Sequence, residues 1–197
     1  MPNAHFDLAH AFTAKWEGGL TDHPADPGGI TKYGVSLRFL QAEGLDPDND
    51  GKIDALDVRG LTKEQTAEIF YTHFWIKGKC AALPRFMGLA HYDGAVNMGI
   101  GQASKQVQSA CNTLGSLHIP GFTPLKEDGC IGPLTLAAVC QLGAVELDYI
   151  AAQLIVRLRQ AFYRRLAEQR PELQVFLQGW LNRTNDLAAY IAQQAGA

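Results

Sequence analysis

Long apolar runs are missing from this chain of 197 residues: none approaches the roughly 20 residues that a membrane-spanning helix needs. An excess of one charge is missing too, because 17 Lys and Arg stand against 20 Asp and Glu, a net charge of -3. We therefore expect no membrane insertion and no nucleic-acid partner, since nucleic-acid binding proteins carry a basic surface. The N-terminus also lacks the basic region and apolar core of a secretory signal, so we expect synthesis in the cytoplasm without a signal peptide.

Cysteine is scarce, and its spacing excludes the common cysteine motifs. The chain has no CxxC pair and no metal-ligand spacing among Cys80, Cys111, Cys130 and Cys140. Their neighbours are apolar, which favours buried free thiols over disulfides. A Cys130–Cys140 bridge stays open as an alternative if the protein works outside the cytosol.

Helical periodicity dominates what is present, and 47% of the residues are hydrophobic, enough for a packed core. Gly18 and Gly19 end a first helix over 4–16, and a loop or short β-tongue follows to residue 34. Thr62 and Gln65 form a capping box that opens a helix to about residue 75. Further helices are predicted near 36–43, 83–97, 101–114, 134–142 and 147–169 and from residue 173, with loops through residue 57 and over 115–133. The sequence predicts a mainly α fold.

Residues 17–34 combine acids with a glycine-rich loop. Glu17 follows the first helix, where partial desolvation beside Trp16 and the negative end of the helix dipole favour a protonated carboxyl. Asp26 lies nine positions later, in a loop that offers backbone amides to hold it ionised, and Thr31 adds a hydroxyl. One protonated carboxyl and one carboxylate that polarises a water are what glycoside hydrolysis needs. Asp22 is a competitor for the second carboxylate.

The segment from Glu17 to Gly34 resembles the signature of glycoside hydrolase family 108, lysozyme-like N-acetylmuramidases of phages and bacteria. Further similar segments are Tyr71–Trp75, Tyr92–Gly99 and Gly179–Arg183. The resemblance implies a lysozyme-like helical fold and cleavage of the β-1,4 bond between N-acetylmuramic acid and N-acetylglucosamine in peptidoglycan. It makes Glu17 the catalytic acid, with Asp26 and Thr31 handling the water. If these two residues hold a water opposite Glu17, the enzyme should invert the anomeric centre.

Other residues have weaker expectations. Four side chains are candidates to line a sugar-binding groove, because rings and amides suit sugar faces and hydroxyls: Tyr33, Tyr71, Trp75 and Asn97. Asp93 and Arg183 lie on otherwise apolar helices, and we expect a structural polar contact between them. The near-neutral charge means that binding to the wall must come from a shaped groove.

The segment Asp128–Thr135 resembles the DGxxGPxT turn of peptidoglycan-associated helical domains. We therefore expect a catalytic region over 1–97 and a helical peptidoglycan-associated region over 98–197, packed as one lysozyme-like unit. Peptidoglycan strands are the expected partner, and the protein is expected to be a monomer. It would reach the periplasmic or cell-wall peptidoglycan by lysis, a holin-type pore or specialised export, for phage lysis or for wall remodelling during secretion.

An acidic insertion over 46–57 departs from the family pattern and matches the calcium-loop template of EF-hand and dockerin proteins. Glycine occupies the sixth position and isoleucine the eighth. The predicted ligands are Asp46, Asp48, Asp50, the Lys52 carbonyl, Asp54 and Asp57. The twelfth position is Asp rather than the longer Glu. We expect a structural Ca²⁺, because hydrolysis itself needs no metal; an empty acidic turn is the alternative.

Three other functions remain open from the sequence. A noncatalytic peptidoglycan-binding module would explain the DGxxGPxT turn without Glu17. A calcium-dependent interaction protein would explain the acidic loop. A lytic transglycosylase would also use a single Glu, but it would leave anhydro-muramic ends instead of reducing ends.

Overall fold

The computed structural model describes residues 4–22 and 29–196. The predicted mainly α fold is confirmed, with one small two-stranded sheet. The α-helices are α1 (Ala4–Trp16), α2 (Leu37–Glu43), α3 (Ala55–Gly60), α4 (Lys63–Phe70), α5 (Arg85–Met98), α6 (Ile100–His118), α7 (Pro133–Ala144), α8 (Asp148–Gln169) and α9 (Gln174–Ala195). The strands are β1 (Thr31–Lys32) and β2 (Val35–Ser36). No helix within the described residues is long and apolar enough to cross a membrane.

The chain divides into two compact units, one of Met1–Ala9 with His73–Ala197 and one of His10–Thr72. The boundary expected from the sequence, between a catalytic region over 1–97 and a peptidoglycan-associated region over 98–197, stays a prediction. In the larger unit, α5 packs against α6 and α8, α8 packs against α6 and α9, and α7 packs against α6 and α8. Fully buried side chains include Tyr92, Met87, Leu142, Ile155, Tyr163 and Leu187.

The smaller unit is built around the hairpin. Strands β1 and β2 pair antiparallel, with Thr31 opposite Ser36 and Lys32 opposite Val35. Ser36 also begins α2, where its hydroxyl accepts a hydrogen bond from the Phe39 amide. Helices α2 and α3 pack against the sheet. The buried apolar residues of this unit are Phe12, Ile30, Val35, Leu40, Val58, Leu61 and Phe70.

Two helix boundaries differ from the prediction. The acidic loop ends at Asp54, which caps α3, a helix within the residues predicted to be loop. Helix α6 continues to His118 rather than ending before Gly115. A Cβ on Gly115 would lie 2.4–2.6 Å from ring atoms of Phe122. This glycine therefore serves close packing inside the helix and does not end it.

All four cysteines are free thiols, so Cys130 and Cys140 form no bridge. Cys80 and Cys111 are buried as predicted, and burial raises the pKa of both thiols. The prediction of burial is wrong for Cys130 and Cys140, which are exposed. Cys130 lies in a loop and Cys140 on the outer face of α7.

Candidate active site

Glu17 lies directly after the last residue of α1, and its amide still donates to the Thr13 carbonyl oxygen at 3.2 Å. Gly18 and Gly19 follow, and the helix goes no further. The side chain of Glu17 is half-buried and lines a cavity of about 490 Å³. That volume is within the range of about 300–1,000 Å³ typical of ligand pockets.

The cavity lies within the smaller unit, between α1, the hairpin turn and α4. Its apolar wall is formed by Ala11, Ala14, Ala67 and Phe70. Its polar lining is formed by His10, Lys15, Glu17, Tyr33, Lys63, Glu64 and Thr66. A cavity lined by both apolar and polar side chains suits a small organic ligand such as a sugar ring, which has apolar faces and hydroxyl groups.

The hairpin turn fixes the position of the Glu17 carboxyl. Tyr33 and Gly34 both have positive φ, 49° and 81°, as a tight two-residue hairpin turn requires. A Cβ on Gly34 would lie 2.6 Å from Oε2 and 2.9 Å from Cγ of Glu17. The glycine is thus needed twice, for its backbone conformation and because the Glu17 side chain occupies the space of a Cβ.

Tyr33 lines the same cavity as Glu17, so two of the residues predicted from the sequence are brought together. The Nζ atoms of Lys32 and Lys63 lie 5.4 and 6.0 Å from the centre of its ring. Cations at these distances are attracted to the face of an aromatic ring. Both ammonium groups are therefore within cation–π distance of the ring.

Thr31 is on β1, and its backbone exchanges two 2.8 Å hydrogen bonds with Thr21. Its hydroxyl donates to the Gly29 carbonyl oxygen at 3.2 Å, which leaves the oxygen lone pairs able to accept from a water. Asp22 forms an exposed ion pair with Arg59 at 2.5 Å. Asp26, the predicted second carboxylate, lies outside the described residues.

The prediction that Trp75 lines a sugar-binding groove is wrong. Trp75 belongs to a π-helical segment, Tyr71–Ile76, and is only 1% exposed. Its ring packs edge-to-face on Phe6 and Tyr92, with ring centres 5.7 and 5.6 Å apart. Trp75 is a core residue of the larger unit.

Two other candidates for substrate contact have different surroundings. Tyr71 is half-buried at the start of the π-helical segment, and its role stays a prediction. Asn97 is exposed near the end of α5, in the larger unit, and its Oδ1 accepts a hydrogen bond from the Tyr163 hydroxyl. Neither residue lines the Glu17 cavity within the described part of the chain.

The expected contact between Asp93 and Arg183 is present and is part of a buried ion cluster. Arg183 donates to Asp93 from Nη2 at 2.7 Å and from Nε at 3.1 Å. Arg159, which the sequence reading missed, donates from Nη1 at 2.5 Å and is 1% exposed. Burial alone would raise the pKa of Asp93, but the two guanidinium groups outweigh it and lower this pKa to about 2. The cluster joins α5, α8 and α9, so its role is structural.

Loop 46–57 has the backbone of a cation loop. Asn49 and Gly51 have positive φ, and Gly51 occupies the sixth position, where the template needs a sharp turn. The carboxylates of Asp46, Asp48 and Asp50 approach one another, with one oxygen of each within 4.8 Å of the others. The Asp50 amide lowers the pKa of Asp48 through a hydrogen bond, but desolvation and the neighbouring carboxylates outweigh it, so this pKa is raised.

The remaining predicted ligands are positioned by α3. Asp54 is the N-cap of this helix, and its side chain accepts from the Leu56 amide at 2.7 Å. Asp57 is buried, and its carboxylate accepts from the amides of Asp54 at 2.8 Å and Asp48 at 3.4 Å. Asp57 therefore faces back toward the loop, as the twelfth ligand must. The oxygen-rich donor set fits a hard cation such as Ca²⁺.

The DGxxGPxT segment is held by Gln108, a buried side chain of α6 that the sequence reading missed. Its Nε2 donates to Asp128 Oδ1 at 2.8 Å and to the Cys130 carbonyl at 3.0 Å, while its Oε1 accepts from the Gly129 amide at 2.9 Å. The hydrogen bond from Gln108 lowers the pKa of Asp128. The Asp of the motif is therefore a structural residue that holds the loop on α6.

The sequence and structure of this chain are similar to those of known proteins. Residues 10–99 match the model of the family "Glycosyl hydrolase 108", and residues 103–185 match the model "Predicted Peptidoglycan domain". The chain is similar to the structure of Brucella abortus SagA, with 28% sequence identity and a TM-score of 0.72. That similarity covers 96% of this chain and 95% of SagA. The curated proteins contain no significant match.

Proposed function

We propose that this chain, a member of glycosyl hydrolase family 108 with a peptidoglycan domain, is an N-acetylmuramidase. The two domain matches support a peptidoglycan hydrolase. The proposal specifies which bond of peptidoglycan the enzyme cleaves. It cleaves the β-1,4 linkage between N-acetylmuramic acid and N-acetylglucosamine. The observation that carries the proposal is the position of Glu17, a carboxyl fixed by Gly34 on the wall of a sugar-sized cavity.

Glu17 acts as the general acid in this proposal. Its carboxyl donates a proton to the glycosidic oxygen as the bond breaks, and the sugar cation that develops is captured by water. The aromatic ring of Tyr33, on the same cavity wall, supplies a face for a sugar ring.

The attacking water is assigned to Asp26 and Thr31: Asp26 accepts a proton from the water as the water oxygen bonds to the anomeric carbon, and Thr31 holds the water. The Thr31 hydroxyl already donates to Gly29, so its oxygen is available to accept a hydrogen bond from a water. A water between two carboxyl groups needs a separation of about 6.5–9.5 Å and leads to inversion of the anomeric centre. A directly attacking carboxylate needs about 5–5.5 Å and leads to retention.

The decisive variant is Glu17→Gln, compared with Glu68→Gln, which removes a carboxyl from an exposed position on α4 outside the cavity. Glu17→Gln should lower hydrolysis of purified sacculi by about 10²–10⁴-fold, the usual contribution of general acid catalysis. Its melting temperature should stay close to that of the wild type, and Glu68→Gln should keep full activity. A folded Glu17→Gln variant with more than about a tenth of wild-type activity would refute the role of Glu17.

Product analysis separates the remaining alternatives. Mass spectrometry should find reducing N-acetylmuramic acid ends, whereas anhydro ends would identify a lytic transglycosylase. NMR of the first products should show the α-configured reducing end, the sign of inversion at a β-linkage. Thr31→Ala should reduce activity although Thr31 transfers no proton. A β-configured end appearing first would contradict the roles given to Asp26 and Thr31.

Loop 46–57 is proposed to bind a structural Ca²⁺. The convergence of three carboxylates, the glycine at the sixth position and the inward-facing buried Asp57 support this proposal. A bound cation would offset the repulsion among these carboxylates and would tie the loop to α3. No step of the hydrolysis is assigned to it.

A further inference from the structure

A small cavity of about 190 Å³ lies in the larger unit and shares no lining residue with the Glu17 cavity. Three segments form it: residues 77–79, the first turns of α6, and the DGxxGPxT loop at residues 129–131. Gly129 brings the loop close to α6, since a Cβ there would lie 2.8 Å from the Gly101 carbonyl oxygen. The hydrolytic mechanism uses none of these residues.

The lining of this cavity is basic. Lys77 and Lys79 contribute to it, and no acidic side chain lines it in the described part of the chain. Lys79 has a left-handed backbone, and its ammonium donates to the Ile131 carbonyl oxygen at 2.9 Å. That hydrogen bond positions the charge against the loop and uses one of the three ammonium donors.

The start of α6 adds backbone donors. The helix has 19 residues, begins at Ile100, and is preceded by Gly99, which provides no side-chain cap. The first backbone amides of α6 therefore lack acceptors within the helix, and the N-terminus is the positive end of the helix dipole. Ile100 itself lines the cavity.

A buried hydroxyl with unused hydrogen-bonding capacity points independently to a ligand. Ser104 lines the cavity one turn into α6 and is 0% exposed. Its Oγ has no hydrogen-bond partner among the described residues. Buried polar groups normally have partners, so this hydroxyl is expected to find its partner in a molecule that enters the cavity.

Asp128, the acid that precedes residues 129–131, does not line this cavity in the described structure. Its Oδ1 already accepts from Gln108 at 2.8 Å and from the Cys130 amide at 2.9 Å. The cavity thus presents ammonium, hydroxyl and amide donors on its walls. This donor set is complementary to a small anion with two or three oxygen atoms.

We propose that this cavity binds a carboxylate of the peptidoglycan stem peptide. Ser104 and the loop belong to residues 103–185, which match the peptidoglycan domain. We therefore expect the ligand to be a chemical group of peptidoglycan. The glycan carries peptides with free carboxylates, and the cavity is large enough for such a group but small for a sugar ring. This inference rests on the proposed substrate, not on the roles of Glu17, Asp26 or Thr31.

The test compares two soluble ligands by isothermal titration calorimetry on the full chain: a muramoyl tripeptide with free carboxylates and the same compound with its carboxylates amidated. The free acid should bind about tenfold more tightly, the effect expected for one charge-assisted hydrogen bond. Lys79→Met should abolish this difference and Lys79→Arg should retain most of it. Ser104→Ala should weaken binding of the free acid without lowering the melting temperature.

Lys105→Met is the matched control, because it removes a lysine from the exposed side of α6 outside the cavity and should leave both affinities unchanged. Equal affinities for acid and amide, or an unchanged preference in Lys79→Met, would overturn the inference. Inorganic phosphate that binds as tightly as the tripeptide would also overturn it, by showing a general anion site. A chain that passes this test but fails to cleave sacculi would refute the muramidase proposal alone.

Discussion

The contact between Gly34 and Glu17 predicts a specific effect of Gly34→Ala. The backbone φ of Gly34 is 81°, so alanine is strained there by about 1–2 kcal/mol whatever space surrounds it. The new methyl would also lie 2.6 Å from Oε2, 2.9 Å from Cγ and 3.0 Å from Cδ of Glu17. Since Glu17 is flexible at its outer end, the least costly response is that its carboxyl moves.

Gly44→Ala separates these two effects. Gly44 lies in the same unit at the end of α2, has a φ of 66°, and has no atom within 4 Å of an added Cβ in the described structure. Both variants should therefore lose about 1–2 kcal/mol of folding free energy. Only Gly34→Ala should lower kcat, by about 10²-fold, because a displacement of about 1 Å misaligns the proton donor.

The assay is turbidity loss of purified sacculi at a temperature where both variants are fully folded, with stability measured by urea unfolding. A double variant, Gly34→Ala with Glu17→Gln, should be no less active than Glu17→Gln alone, because both changes act on one carboxyl. If Gly34→Ala and Gly44→Ala have the same activity, the hairpin turn does not position the Glu17 carboxyl.

Three further predictions concern stability. Asp93→Asn should destabilise the fold by about 3–5 kcal/mol, because it leaves two buried guanidinium groups uncompensated, and wild-type-like urea unfolding would contradict this. Burial lowers the pKa of His91 from 6.5 to about 4, so the unfolded chain binds a proton at a higher pH than the folded protein does. The free energy of unfolding should therefore fall as the pH drops from about 6.5 to about 4. His91→Gln should flatten that part of the pH profile of stability. Ca²⁺ should raise the melting temperature, because a ligand that binds only the folded state stabilises it by mass action. The double variant Asp48→Ala with Asp50→Ala should lose this increase and keep its activity at moderate temperature. If this variant and the wild type melt at the same temperature in both calcium and chelator, the loop is not a calcium site.

The local features of the candidate site could be predicted from the sequence. Glu17 lies at a helix end because two glycines follow it, and Thr62 with Gln65 opens α4 through the predicted capping box. The loop turn at Gly51 follows from the positive φ that its position requires. Each of these depends on chemistry within a few residues along the chain, which is why a single sequence suffices.

Apart from the Asp93–Arg183 pair, contacts between distant segments were not available from such patterns. The sequence motif around Trp75 predicted that this residue lines a sugar-binding groove. Packing against Phe6 and Tyr92 buries it instead. Arg159 joins Asp93 from 66 residues away. A signal existed, since Arg159 occupies the buried face of α8 with Ile155 and Tyr163, where an arginine needs a buried partner. The sequence therefore indicated that Arg159 requires a buried acidic partner, but it did not indicate which acid.

The sequence by itself determined that the chain is helical, that Glu17 ends a helix before a glycine-rich segment, and that loop 46–57 has cation-loop spacing. The tertiary structure decided that Gly34 touches Glu17, that Tyr33 shares its cavity, and that Gly115 lies inside a helix against Phe122. The physical reason is the range of the forces involved. Helix periodicity and turn conformation follow from neighbours in the chain, whereas close contacts and burial depend on which surfaces the folded chain brings together.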